Sequence, residues 1–230
     1  MMRTRDSLIG VWPFDETQGT TIPDESGLTG PGAPVPVNVT VGGSNISWND
    51  GRMTITAPIV AQSSNTHHLG VDAQLKNAVT LEAWVQAGGA EQGTASLPAV
   101  IASLSINTAG RNIALMQIGD KWVGRARTNA DANGRPELVS MNVVQTSAMT
   151  HLVLVADNNR RILYVNNVPE GSNQAGGPTG WDVGIPLVFG NEISQNGPWL
   201  GTFSLVAMYD RALTVEEIDR HYIAGPDAPY

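Results

Sequence analysis

Apolar and polar residues alternate with period two along most of this chain, the spacing of half-buried strands. In residues 80–86, Leu81, Ala83 and Val85 fall on one side and polar Thr80, Glu82 and Gln86 on the other. Residues 100–105 repeat the pattern. Residues 112–118 and 121–128 predict a hairpin turning at Gly119-Asp120. Residues 151–156 and 161–165 predict a second hairpin across Asp157-Asn158-Asn159-Arg160, where Asn accepts the positive φ that tight turns demand. Residues 187–190 and 202–209 extend the series to about a dozen strands divided by turn signals. That density predicts an all-β fold, a two-sheet antiparallel β-sandwich or jelly roll. One short C-terminal helix is predicted beside it. Thr214 and Glu217 form a capping box, Leu213 and Ile218 a hydrophobic staple, and Gly225-Pro226 a stop. Glu216, Glu217 and Asp219 then read as the cap and solvated face of that helix.

Length and composition narrow the picture. At 230 residues the strands suffice for one large sandwich, so residues 1–230 are read as a single domain. Its two long Gly/Pro/Asn-rich loops are 28–44 and 166–185, and long ordered loops often carry function. The formal net charge is −8 and the 13 basic residues are scattered, which argues against nucleic acid and anionic membranes as partners. With no cysteine, disulfides, thiolate metal sites and a thiol nucleophile are excluded. Residues 1–7 are not followed by the apolar run of a secretory signal, and no stretch is long enough for a membrane helix, so neither a signal peptide nor membrane insertion is expected.

Four segments in order carry a family resemblance. The opening strand Val11-Trp12-Pro13-Phe14-Asp15-Glu16 runs into Gly19-Thr20-Thr21 and Asp24-Glu25-Ser26-Gly27. Val79-Thr80-Leu81-Glu82-Ala83-Trp84-Val85 is the second segment. The third is the hairpin at 150–157 and 162–168, and the fourth is Tyr209-Asp210-Arg211-Ala212-Leu213-Thr214. Together they resemble a laminin-G-like domain of the concanavalin A-like lectin/glucanase superfamily. The resemblance implies a lectin-like sandwich whose relatives bind glycans, bind proteins or serve as structural appendages, many of them holding one calcium ion.

Candidate chemistry follows from residue type and position. Calcium takes hard oxygen ligands. Asp24 sits in a Gly/Ser-rich loop, Asp210 follows the last strand, and Asp15 is a third candidate. First and last strands of a closed sandwich usually pair, so these loops are expected to meet; the competing reading is that Asp24 and Asp210 only fix turns. Glycan recognition uses exposed aromatic platforms beside polar groups. Trp48, Trp181 and Trp199 fall among loop residues, with Asn191 near the last, and are the expected ligand contacts; the alternative is that such tryptophans pin their loops. Trp12, Trp84 and Trp122 lie in strands, and at least two are expected in the core. His67 and His68 are expected on opposite faces of a strand, and His151 as a hydrogen-bonded structural residue. A glycosidase on this fold would need paired carboxylates, and the strand-centre acid Glu82 has no acidic partner at 80 or 84.

These observations lead to a non-catalytic recognition module, glycan- or surface-binding, with calcium as a candidate cofactor. A structural subunit of a larger particle, such as a bacteriophage decoration or tail-fibre-associated protein or a homo-oligomer, is the alternative, and a glycoside hydrolase the minor one. An extracellular or virion-surface location is expected.

Overall fold

The computed structural model describes residues 2–28, 33–63 and 66–229. Its strands in chain order are β1 (Leu8–Trp12), β2 (Thr21–Ile22), β3 (Val39–Gly42), β4 (Ile46–Trp48), β5 (Met53–Ile55), β6 (Val60–Ser63), β7 (Val79–Ala87) and β8 (Ala99–Asn107). They continue as β9 (Gly110–Ile118), β10 (Lys121–Ala126), β11 (Leu138–Val139), β12 (Thr150–Ala156), β13 (Arg161–Val165), β14 (Val168–Asn173), β15 (Leu187–Phe189) and β16 (Gly201–Tyr209). Helix α1 (His67–Lys76) lies between β6 and β7, and α2 (Val215–Ala224) follows β16.

The strands form two antiparallel sheets. One runs β14-β13-β12-β7-β16-β5-β4, with β1 also paired to β16; the other runs β11-β10-β9-β8-β15-β6-β3-β2. Strand β16 therefore has two partners on one edge. Gly201–Phe203 pairs with β5, and Val206–Tyr209 with β1. The expected pairing of first and last strands is observed, Trp12 opposite Val206 and Leu8 opposite Tyr209.

Leu81, Ala83 and Val85 of β7 point between the sheets, joining Trp12, Phe14, Phe189, Trp199 and Phe203 in one core. Phe14 stacks on Phe203 with centroids 5.1 Å apart, and Trp199 meets Phe203 edge-on at 5.2 Å. Burying each such ring stabilises the fold by about 1.5–3 kcal/mol. Glu82 and Trp84 point to the opposite face of the same sheet. That face is not solvated: α2 and the N-terminal segment cover it with a second apolar cluster including Leu205, Tyr209, Leu213 and Ile218. Strand β7 is consequently almost wholly buried despite its alternating sequence.

Helix α2 starts as the sequence dictates. Thr214 Oγ1 accepts from the Glu217 amide while the Glu217 carboxylate accepts from the Thr214 amide. Glu217 also takes a two-pronged ion pair from Arg211 at 2.6 and 2.7 Å, which with the backbone bond holds its carboxyl at about 2. Thr214→Ala is expected to cost about 1 kcal/mol, read as an earlier midpoint in urea.

Three expectations need correction. His67 and His68 open a helix, not a strand; Leu69 and Ala73 anchor it at i, i+4 and Asn77 ends it in the left-handed conformation. The 166–185 loop contains β14, so only its later part is irregular. The 28–44 loop contains β3, and its residues 29–32 lie outside the described residues.

Candidate functional site

The split edge of β16 creates a groove. Between Phe203, the last residue paired with β5, and Val206, the first paired with β1, the strand bulges at Ser204. A cavity of about 530 Å³ opens over this gap. Val11 and Pro13 line one side, Asp50 and Gly51 of the β4–β5 turn another, and the tail residues Pro226, Asp227 and Pro229 a third. The turn Asn49-Asp50-Gly51-Arg52 is a two-residue hairpin loop with Asp50 and Gly51 both at positive φ (50° and 68°). Phe14 also has positive φ (55°), an unusual state for a bulky residue, and the reversal sends its ring into the core while Asp15 lines the groove.

The lining is acidic. Asp15, Glu25, Asp50 and Asp227 face Arg5, the single basic residue among the described lining residues. Burial, and then the charge of Asp15, push the Glu25 carboxyl upward. The neighbouring Glu16 is raised by burial, with smaller contributions from Asp15 and Glu25. At the floor, Ser204 is 2% exposed and its hydroxyl has no hydrogen-bond partner.

The tail wall is fixed by a buried ionic knot. Glu82 is fully buried and ion-paired with Arg3. Its Oε1 meets His151 Nε2 and its Oε2 meets His221 Nδ1, each at 2.9 Å. His221 Nε2 accepts from the Thr4 amide at 3.0 Å, so the network assigns the proton to Nδ1, which donates to Glu82. Burial lowers the His151 pKa against the pull of Glu82. Glu82 itself is held well below the usual carboxylate range: burial opposes ionisation, and Arg3 with the two histidines overcomes it. Arg3 then donates to Gly225 O at 2.6 Å, and its amide to Pro229 O at 3.1 Å, tying the 225–229 segment to the sheet. Trp84 stacks on His151 at 4.7 Å and on Tyr222 at 5.9 Å, closing the knot from outside. His151 thus has the hydrogen-bonded structural setting the sequence suggested.

The other wholly buried acid, Glu192, is on the second sheet's side. Arg111 Nε reaches its Oε1 at 2.8 Å and Ser105 its Oε2 at 2.6 Å.

Of the residues expected to bind, Asp15 alone lines the groove. Asp24 accepts from the amides of Val11, Ser26 and Val37 at 3.0–3.2 Å, the bonds of a turn-fixing carboxylate. Asp210 is at the other end of β1, its amide bonded to Ser7 O. Asp24 and Asp210 are therefore about four residues apart along β1, roughly 13 Å by strand rise, and do not converge. No group of three or more His, Asp or Glu among the described residues is placed to hold a metal ion.

The loop aromatics turn inward. Trp199 is fully buried and donates to Gln117 Oε1 at 3.1 Å; Trp181 is 5% exposed and donates to Arg127 O at 3.0 Å. Asn191, also buried, accepts from the amides of Glu192 and Gly197 and shapes its own loop. These three pin long loops to the sandwich and present no platform to a ligand. Trp48 belongs to β4, is partly exposed, and donates to Gly19 O at 3.0 Å. Trp12, Trp84 and Trp122 are all buried. Ser204, Glu25, Asp50 and Asp227 were missed. The Asn-Asp-Gly turn is readable in sequence, whereas nothing local marks the bulge at Ser204.

Fold and family can now be joined. Two stacked antiparallel sheets with paired terminal strands define a lectin-like β-sandwich. A laminin G-like family model, described as the concanavalin A-like lectin/glucanases superfamily, matches residues 59–219, and the chain belongs to that family. No curated protein matches it significantly. Among solved structures, the Trypanosoma rangeli sialidase in complex with 2,3-difluorosialic acid aligns with a TM-score of 0.68 at 15% identity, over 95% of this chain and 33% of that one. The binding domain of botulinum neurotoxin DC in complex with rat synaptotagmin II aligns with a TM-score of 0.69 at 12% identity, over 96% of this chain and 52% of that one. The binding domain of botulinum neurotoxin serotype D/C VPI 5993 gives 0.66 at 14% identity, with the same coverage. The chain thus spans about a third of the sialidase and about half of the toxin binding domains. At these identities the likeness is one of fold. No helix among the described residues is long and apolar enough to cross a membrane.

Proposed function

We propose that this protein is a non-catalytic recognition module, acting outside the cell or on a virion surface, that captures a partner through the groove at the β1–β16 seam. The observation that carries this reading is the groove itself: a concave site of about 530 Å³ whose floor holds a buried, unpartnered hydroxyl. Concave sites with a few convergent polar groups are the usual places for ligands. Two further points support it. The neurotoxin fragments that share the fold are named as binding domains. The two wholly buried acids, Glu82 and Glu192, are committed to ion pairs on different sheets.

Arrays of glycans and of peptides, probed with the protein and with an Asp15→Arg/Asp227→Arg variant, test the reading. Both residues are exposed, so the variant keeps its fold. Binding by the parent, reduced at least tenfold in the variant, is expected. Equal binding by both proteins, or no binding to either array, would overturn the groove as the site.

A hydrolase reading has one observation in its favour, the raised carboxyl of Glu25 beside Asp15 in the same groove. A proton-donating acid paired with a carboxylate is the glycosidase arrangement. The expected result is no sugar release from oligosaccharides; release abolished by Glu25→Gln would replace the recognition reading.

A further inference from the structure

The groove's lining points to the class of ligand, and this inference rests on the recognition reading above. Three carboxylates, Asp15, Glu25 and Asp50, stand against one lining guanidinium, Arg5, while Asp227 on the tail wall pairs with Arg52 at 3.4 Å. Carboxylates that outnumber their counter-charges favour protonation, and Glu25 shows that strain, its carboxyl raised by burial and by Asp15. A cation entering the groove relieves both effects.

The form of the cation follows from the walls. A bare metal ion needs several oxygens converging on one point, and among the described residues no such group exists. The carboxylates are instead spread along a groove whose remaining surface is aliphatic: Val11, Pro13, Leu205, Pro226 and Pro229. No aromatic ring among the described residues lines it to stack on a sugar face. Spaced acids over an aliphatic floor suit a cationic side chain that lays its methylene stem on apolar surface and holds its head among carboxylates, as lysine and arginine do. Ser204 adds a separate indication. It lines the groove at the bulge, is only 2% exposed, and its hydroxyl lacks any partner. Buried hydroxyls are normally hydrogen-bonded. A peptide carbonyl seated over the bulge would accept from it.

We propose that the groove docks a basic peptide segment of a partner protein, with lysine or arginine side chains among Asp15, Glu25, Asp50 and Asp227 and a backbone carbonyl on Ser204. The rim charges supply orientation and salt-sensitive attraction, and the bulge supplies the register.

Fluorescence anisotropy with a labelled ten-residue peptide of alternating lysine and alanine tests this. The comparison peptide carries glutamine at every lysine. The intact protein should bind the lysine peptide at least tenfold more tightly than the glutamine peptide, with weaker binding as salt rises. Asp15→Asn/Glu25→Gln should lose at least tenfold in affinity with its thermal midpoint unchanged. Glu91→Gln/Glu216→Gln, equal in charge change but away from the groove, should bind like the parent. Equal losses in both double variants would reduce the effect to the overall acidity of the chain and overturn the proposal. Groove-dependent capture of a neutral or amino-bearing oligosaccharide, with no peptide binding, would also overturn it and leave the recognition reading standing. If neither probe depends on the groove, the recognition reading falls as well.

Discussion

Glu82→Ala is expected to lower the stability of this protein by about 3–5 kcal/mol, the usual cost of removing one partner from a buried ion pair. The reason lies in what stays behind. Arg3 remains as a buried cation without its carboxylate, and His151 Nε2 and His221 Nδ1 lose their acceptor. Each stranded donor adds about 1–3 kcal/mol of unrecovered desolvation. Glu82→Gln does not rescue the site. Its amide NH₂ would face either His221 or the Arg3–His151 pair, all of them donors; reversing the His221 tautomer would set its Nε2–H against the Thr4 amide. Removing both charges together, as Arg3→Met/Glu82→Leu, is expected to recover much of the loss, because a well-packed apolar pair escapes the desolvation that the single variant suffers. Denaturant midpoints of the three variants measure this. A Glu82→Ala protein within 1 kcal/mol of the parent, or a double variant less stable than the single, would show that the knot is not energetically coupled. Glu82→Ala also removes the carboxylate that holds the Arg3 side chain in position for its bond to Gly225 O, so ligand affinity at the groove should fall with it.

How much of this was legible beforehand depends on whether the signal is local. The hairpins β9–β10 and β12–β13 turn at the Gly-Asp and Asp-Asn-Asn-Arg sequences that predict them, because a tight turn is specified by the few residues in it. The capping box of α2 is equally local. Helix α1 escaped because its apolar contribution is small: Leu69, Gly70 and Ala73 are its buried residues, while Leu75 is exposed. The loop tryptophans Trp181 and Trp199 turn inward for a physical reason that the sequence does not display. A loop tryptophan looks the same in sequence whether its ring meets solvent or the core, and the indole N–H can be satisfied by a distant carbonyl or amide, as Arg127 and Gln117 do for Trp181 and Trp199.

The site is harder still, since it is a product of register. Asp15 was identifiable as a carboxylate near the first strand. Its company was not, because Asp50, Ser204 and Asp227 are brought to it by β5 and β1 sharing one edge of β16. Nothing in the strand's own sequence announces that it bulges at Ser204. Glu82 shows the converse. In sequence it is a strand-centre acid with no acidic partner at 80 or 84, and the side chains that define its role come from residues 3, 151 and 221.

Acidification should destabilise the protein progressively from about pH 6.5 downward. Burial depresses the His151 pKa below its ordinary 6.5, so between 6.5 and its folded value the unfolded chain binds a proton that the native protein does not. Stability therefore rises with pH across that window and is lost as pH falls through it, with a slope up to about 1.4 kcal/mol per pH unit for one proton. Below 4.5 the carboxyls with depressed values act in the same direction, Glu82 and Glu217 foremost. Glu82 is held well below 4.5 by Arg3 and the histidines, and Glu217, at about 2, loses its contribution between 4.5 and 2. Glu16, Glu25 and Asp72 oppose this: their raised values mean the native state takes up protons first and gains stability as pH falls toward 4.5, or toward 3.8 for Asp72. These three are partly solvated, so screening keeps their effect small beside that of the fully buried His151. Urea unfolding followed from pH 8 to pH 4 should show the decline beginning near 6.5. His151→Gln retains a donor for Glu82 and removes the titration, so its stability should be flat between pH 8 and about 5 and should fall only when the carboxylates protonate. Parallel curves for the variant and the parent across that interval would mean that His151 carries no linkage, and that the knot is broken by acid through Glu82 alone.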